Sequence, residues 1–248
     1  MLFTQMQQPE MTPLIGILNL DKPPGMSSAR AVGRVKRLLP KGTKIGHAGT
    51  LDPFATGVLL LLIGKATKLC EKLMDSPKAY ETTIKLGAYT PTDDPESPEE
   101  PVAGAVAPTR AELEAALPKF VGQIMQKPPA FSAMKVGGRR AYDLARKGNE
   151  VKLEPRMVRV DSIELLDYAW PTARVKIACG RGTYIRSIAR DLGAALGTGG
   201  HLTELRRLRV GKFFAADAVS LERVTDDGVL LHLQRLAEPS CGAESCAS

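Results

Sequence analysis

Gly46-His47-Ala48-Gly49-Thr50-Leu51-Asp52-Pro53-Phe54-Ala55-Thr56-Gly57 runs directly into Val58-Leu59-Leu60-Leu61-Leu62-Ile63. Three glycines and a proline keep the first stretch out of regular helix or plain strand. The apolar run behind it is core by composition. A loop carrying one His and one Asp is thus pinned to the interior, which is how scaffolds hold chemistry on an irregular segment. Asp52 is the only carboxylate between Lys22 and Glu71, and from Lys22 to Leu51 there are seven Lys or Arg and no acid. Such a basic surround is expected to lower its pKa and keep it ionised. Taken as local chemistry alone, Asp-Pro here is a turn or a cap, and His47 a structural histidine.

The whole dodecapeptide carries more than its parts. It resembles the signature loop of the TruB family, the tRNA pseudouridine synthases that act on uridine 55 of the TΨC loop, over twelve or more consecutive positions. The resemblance makes Asp52 the catalytic carboxylate, as nucleophile or as base at the sugar. It places His47, Gly49, Thr50 and Leu51 against the RNA, with His47 filling the space that a flipped base vacates.

Upstream, Leu14 to Leu20 reads as a strand. Asp21-Lys22-Pro23-Pro24-Gly25-Met26-Ser27-Ser28 is a rigid turn in which Ser27 or Ser28 caps a helix over Ala29 to Leu39. This segment resembles the family's first motif, so Lys22 is grouped with the substrate site in a supporting role. Downstream, Lys65 to Met74 reads as helix. Ala79 to Ala88 alternates as a strand, opened by Tyr80. Tyr80 to Gly87 matches the family's Tyr-x-x-x-x-x-Leu-Gly pattern, which implies stacking on the target base and help with proton transfer at C5.

Tyr89 to Gly104 is a Pro- and acid-rich loop. Where the family has Thr-Asp-Thr-x-Asp, this chain has Thr90-Pro91-Thr92-Asp93-Asp94, so Pro91 replaces one acid and Asp94 aligns with the other. Thr109 and Glu112 form a capping-box pair at the head of an amphipathic helix to Phe120. Gln123 to Gly148 holds an extended Pro-Pro-x-Phe-Ser-Ala-x-Lys segment, a basic Gly-hinged loop and a short helix over Ala141 to Lys147. The family carries a thumb-like RNA-binding insertion there, which assigns Lys135, Arg139 and Arg140 to phosphates.

Arg156 to Tyr168 and Thr172 to Cys179 read as paired strands. Gly180-Arg181-Gly182-Thr183-Tyr184-Ile185-Arg186-Ser187-Ile188 is a strand-to-helix turn with Thr183 as cap. It matches the family's third motif, which implies that Arg186 pairs with Asp52 and that Tyr184 lines the pocket. On that basis Arg186→Met is expected to lose activity at unchanged fold. Gly199 to Gly211, helical or extended, resembles the end of the catalytic domain and offers Arg206 and Arg207 to RNA.

The chain of 248 residues is 44% hydrophobic, ample for a buried core, and carries a formal net charge of +7. Basic residues cluster over 30–44, 135–147 and 206–212, while Asp93, Asp94, Glu96, Glu99 and Glu100 sit together elsewhere. A basic surface set apart from an acidic loop is an electrostatic footprint for nucleic acid. The four cysteines form no Cys-x-x-Cys pair and no zinc spacing. No apolar run is long enough to span a bilayer and no signal-peptide core is present.

The expectations are therefore these. The fold class is α+β, a pseudouridine synthase fold with a mixed, mainly antiparallel sheet and flanking helices. Residues 1–13 form a flexible N-terminus, 14–225 the catalytic domain with an insertion at about 123–150, and 226–248 a short tail without the PUA module. The protein is a cytoplasmic monomer acting on the T arm of tRNA, with no cofactor, no metal, no membrane and no guide RNA. Two rivals remain open: a non-catalytic tRNA-binding or folding factor, and a guide-dependent synthase of the dyskerin type.

Overall fold

The computed structural model describes residues 14–132, 135–136, 139–140, 153–225 and 233–234. Its organising strand is the apolar run itself. Thr56–Ile63 (β3) pairs antiparallel with Gly16–Lys22 (β1) and with Ile45–Ala48 (β2). Because side chains alternate along a strand, Leu59, Leu61 and Ile63 enter one core while Val58, Leu60 and Leu62 enter another on the opposite face, all at 0% exposure. That two-sided burial explains why the run shows no polar alternation.

The larger core lies under Ser28–Lys36 (α1), Arg110–Ala116 (α3) and Ile185–Ala195 (α4), the smaller under a 3₁₀ turn at Gly64–Leu69 and Cys70–Asp75 (α2). Ser27 caps α1, and Thr109 with Glu112 closes the expected capping box on α3. The helix expected over Lys65 to Met74 divides into the 3₁₀ turn and α2.

Beside β3, Gly200–Val210 (β12) runs parallel, and Lys78–Leu86 (β4) follows antiparallel. Thr172–Cys179 (β11), Arg156–Ala169 (β10) and Gly122–Gln126 (β7) complete that side. On the far side of β1 lie Val219–Ser220 (β14), parallel, and Leu233–Gln234 (β15), antiparallel; Phe213–Phe214 (β13) pairs with β12. The sheet is mixed and mainly antiparallel, as expected. The segment 200–210, whose sequence admits helix or strand, is strand. Two small ladders stand apart: Ala88–Tyr89 (β5) with Glu100–Pro101 (β6), and Lys135–Val136 (β8) with Arg139–Arg140 (β9). The helix expected over 141–147, residues 1–13, and Cys241 and Cys246 of the expected tail lie outside the described residues.

Candidate active site

The loop between β2 and β3 is held by side chains reaching it from three elements. From α1, the Ser28 hydroxyl donates to Leu51 O at 3.0 Å and accepts from Leu51 N–H at 2.9 Å. From β1, the Lys22 ammonium donates to Pro53 O at 3.1 Å, Pro23 O at 2.8 Å and Met26 O at 2.7 Å. From β12, Arg207 donates to Val58 O at 2.7 Å, Thr50 O at 3.4 Å and Gly49 O at 3.1 Å. Gly57 is required by close approach. Its φ is +96°, and a Cβ there would meet Arg207 O at 2.2 Å, where β12 and β3 run side by side.

These contacts turn two of the expected site residues inward. Lys22 and Arg207, grouped with the substrate-binding residues, are buried at 0% and 1% exposure. Both cations are used on backbone carbonyls, so they set the loop's shape from behind, although Arg207 also reaches the cavity wall. Burial pulls the Lys22 ammonium down to about 8, against a partial upward pull from Asp52.

Above the loop is a cavity of about 350 Å³, within the range of small-ligand sites. Asp52, Tyr80, Tyr184, Arg186, Leu205 and Lys78 line it, together with Gly49, Thr50 and Leu51. Asp52 faces Arg186 in a two-point ion pair: Nε lies 3.0 Å from Oδ2, and Nη2 donates to Oδ1 at 3.2 Å. The remaining edge of the guanidinium donates to Asp94 Oδ2 at 3.1 Å and to Thr92 O at 2.9 Å, and Nη2 also donates to Phe131 O at 2.8 Å. Asp94 is further fixed by the Thr92 hydroxyl at 2.6 Å and Glu96 N–H at 3.0 Å.

One buried guanidinium therefore serves two carboxylates, and this overturns the expectation for Asp52. Burial raises its pKa above the ordinary carboxylate range. Arg186 and Lys22 pull it down, but Asp94 pushes it up again. Of the seven sequence-near cations only Lys22 acts on it among the groups that shift it most; Arg30, Arg34 and Lys36 sit on α1. Where it meets the cavity the Asp52 side chain keeps 32% exposure, while Arg186 keeps 4%.

The acidic loop is likewise not a separate patch. Asp93, at φ +59°, turns the chain so that it pairs with Arg190 at 2.9 Å while Asp94 reaches Arg186. Both acids are buried. Tyr80 is 7% exposed, sits in register between Arg207 and Ile177, and has its phenol pushed up by burial. His47 lies on β2 opposite Leu61 and does not line the cavity. Arg206 pairs with Asp21 at 2.8 Å and stays half exposed. Lys135, Arg139 and Arg140 fall on the β8–β9 ladder, and their side chains lie outside the described residues.

Tyr184 is the N-cap of helix α4, and Thr183 does not cap it; the Thr183 hydroxyl donates to Arg159 O. The side-chain amide of Gln126 instead fixes the residue before the helix, accepting from Tyr184 N–H at 2.8 Å and donating to Tyr184 O at 3.0 Å. Arg156 lies over the Tyr184 ring, 5.1 Å from its centroid. Among the residues of the site that escaped sequence reading are Gln126, Arg156, Lys78 and Leu205. Lys78 had a usable signal, being two residues before Tyr80 on one strand face. Burial brings its ammonium down to about 8. Among the described residues no cluster of metal-ligating side chains occurs, and no helix is long and apolar enough to cross a membrane.

Comparison with known proteins bears on the family of the chain. The family model for the N-terminal domain of TruB family pseudouridylate synthases matches residues 36–185. That for the tRNA pseudouridylate synthase B C-terminal domain matches residues 186–238. The chain is 49% identical over 209 residues to a tRNA pseudouridine synthase B of Paracoccus denitrificans, spanning 84% of this chain and 70% of that protein. It is 48% identical over 200 residues to one of Bacteroides fragilis, spanning 79% and 86%. A chain in the crystal structure of a Cbf5–Nop10–Gar1 complex superposes with a TM-score of 0.67 at 30% identity, over 87% of this chain and 55% of that one.

Proposed function

Because the chain belongs to the TruB family of pseudouridylate synthases, we propose that it converts uridine to pseudouridine at position 55 in the TΨC loop of tRNA. The observation that carries this is the Asp52 carboxylate, aimed by Arg186 into a cavity that Tyr80 and Tyr184 also line. A base inside an RNA loop is out of reach of such a cavity until it leaves its stack, so the nucleotide enters flipped. His47 lies outside the cavity, as a residue that fills the gap in the RNA must.

In the cavity Asp52 acts on the ribose, as nucleophile at C1′ or as base beside it. The N1–C1′ bond breaks, the uracil turns, and C5 bonds to C1′. C5 then gives up its proton to solvent and N1 gains one, so the step is an isomerisation without net exchange of electrons. The Tyr80 phenol, raised by burial, remains protonated at neutral pH and suits stacking on the ring better than abstraction of the C5 proton as phenolate. The basic charge on the chain supports a polyanionic substrate.

The test is a single-turnover assay without guide RNA. An unmodified T-arm stem-loop tritiated at uracil C5 is incubated with the wild type and with Asp52→Asn. Tritium release by the wild type alone is the expected result. Release by both would remove Asp52 from the reaction. Release by neither, with tight RNA binding kept, would return the protein to a binding factor or to a guide-dependent synthase.

A further inference from the structure

Helix α4 carries a second arginine, Arg190, one turn after Arg186 and on the same face. Arg190 does not line the cavity. Its guanidinium is nevertheless engaged at every nitrogen: Nη1 donates to Asp93 Oδ2 at 2.9 Å, Nη2 to Lys127 O at 2.8 Å and Nε to Asp191 Oδ1 at 2.9 Å.

Asp93 is the neighbour of Asp94, so two arginines one turn apart hold two consecutive carboxylates. Consecutive side chains reach one helix face only where the chain turns sharply, and the φ of +59° at Asp93 supplies that turn. Residues with a Cβ adopt this conformation at a cost, which is least for Asp and Asn. The main chain of Asp93 is pinned as well. Its N–H donates to Thr90 O at 3.1 Å, and its carbonyl accepts from Leu202 N–H on β12 at 3.1 Å. Burial raises the Asp93 carboxyl above its ordinary range, and Arg190 is the strongest pull against that rise.

The same guanidinium grips a second segment. Lys127 O accepts from Arg190 and also from the Ser187 hydroxyl at 2.9 Å. Pro128 and Pro129 follow, and neither has an N–H to tie the chain down. Beyond them, Phe131 O accepts from Arg186 Nη2 at 2.8 Å. Thr92 O, Asp94 Oδ2 and Phe131 O, which orient Arg186, therefore all belong to segments that Arg190 also holds.

Building on the proposed function, we infer that Arg190 is a positioning residue for the isomerisation. It locks the turn over 90–94 and the segment over 127–131 onto α4, and through them fixes the aim of Arg186 at Asp52. It acts on the reaction only through Arg186.

The experiment compares the wild type with Arg190→Gln, Arg190→Lys and Asp93→Asn at a temperature where melts show all of them folded. Single-turnover tritium release at saturating T-arm stem-loop reads the aim, and Kd for the same RNA reads contact. Arg190→Gln should slow release by about 10- to 100-fold, the scale of a misplaced catalytic group, with Kd unchanged. Asp93→Asn keeps a side chain that tolerates the left-handed turn but loses the charge, and should slow release in the same way. Arg190→Lys keeps a cation for Asp93 and should recover part of the rate. Arg110→Gln, which breaks an exposed pair on α3, should match the wild type.

A lowered melt with the wild-type rate in Arg190→Gln would overturn the inference and leave Arg190 a structural residue. A rate loss matched by an equal loss of RNA affinity would overturn it too, and make Arg190 an RNA contact. If Arg190→Gln does not fold, Arg190→Lys and Asp93→Asn decide on the same terms.

A second readout needs no RNA. The Arg186 Nε–H group lies against Asp52. Its NMR signal, identified by its loss in Arg186→Lys, should shift and exchange faster with solvent in Arg190→Gln and Asp93→Asn. An unmoved signal in both variants overturns the inference. The two readings thus fail separately. No release by the wild type, with a shifted Arg186 signal in the variants, removes the synthase and keeps the clamp. Wild-type release, with full rate and an unmoved signal in the variants, does the reverse.

Discussion

Asp94 holds the edge of the Arg186 guanidinium that Asp52 leaves free, so two carboxylates separated by 42 positions in sequence share one buried cation. The two are not equivalent. Asp94 is 2% exposed and has the Thr92 hydroxyl and Glu96 N–H besides Arg186. Asp52 faces the cavity and relies on Arg186 for its charge. Asp94 is the anchor that aims the guanidinium, and Asp52 is the group that Arg186 presents.

Arg186→Met should therefore cost stability as well as activity, contrary to the expectation from sequence that the fold would be indifferent. It leaves Asp94 and Asp52 without their cation and strands Thr92 O and Phe131 O. Breaking a buried ion pair from one side costs about 3–5 kcal/mol. Turnover should fall by roughly 10²–10³-fold, the scale of losing a preorganised donor. Thermal melts beside tritium release check both; an unshifted melt would mean that the acids find other partners.

Lys22→Met tests the loop without touching the cavity. It removes the donor to Pro23 O, Met26 O and Pro53 O and is expected to lower kcat more than it raises KM, with a stability loss of about 1–3 kcal/mol. The pH dependence has a definite sign. With its folded pKa at about 8, below the ordinary lysine value, Lys22 is protonated in the unfolded chain and neutral in the folded one between the two. The unfolded state then binds more protons, so the wild type gains on the variant as pH climbs from about 8 toward the ordinary value. Paired denaturant titrations across that range would show it.

Gly57→Ala should be among the most damaging small changes in the chain. The φ of +96° and the 2.2 Å approach to Arg207 O leave no room for a methyl group against backbone. A loss of about 3 kcal/mol or more is expected. Gly25→Ala, also at positive φ but with open space around it, should lose no more than about 1 kcal/mol. Denaturation midpoints of the two variants separate crowding from backbone strain.

What can be read from sequence divides along how local the cause is. β3, α1 and the capping box on α3 are legible because apolar spacing and caps are written within a dozen residues. The Asp52–Arg186 pair is legible because both positions belong to motifs that a family resemblance joins. Failures come from contacts across the fold. Neighbours along the chain suggest a lowered pKa for Asp52, yet the group that raises it beyond burial is Asp94. Thr183 has the chemistry and the place of a cap, yet Gln126, 58 positions from Tyr184, occupies the Tyr184 amide. Arg207 is offered to RNA by its basic segment, because a basic residue looks exposed until its strand is known to lie between β3 and β4.

Asp52→Asn should stabilise the protein while abolishing turnover. The wild-type site holds two carboxylates against one guanidinium, and the amide leaves Arg186 and Asp94 as a neutral pair with Asp94's other donors intact. Removing the surplus buried charge is expected to add about 1 kcal/mol at neutral pH, a stability that the site gives up for function. The sign with pH follows from the raised pKa. Between the ordinary carboxylate value and the raised one, folded wild type binds more protons than unfolded, so its stability falls as pH rises through that window. The amide of the variant does not titrate. The advantage of Asp52→Asn should grow as pH rises through that window and shrink as pH falls, whereas wild-type turnover should fail on the acid side above the range of an ordinary aspartate, because Asp52 takes up its proton early. Melts of both proteins over a range of roughly pH 4 to 8, with single-turnover rates over the same range, test the pair of claims together. A variant less stable than the wild type at neutral pH would show that Asp52, and not Asp94, is the carboxylate that holds Arg186 in place.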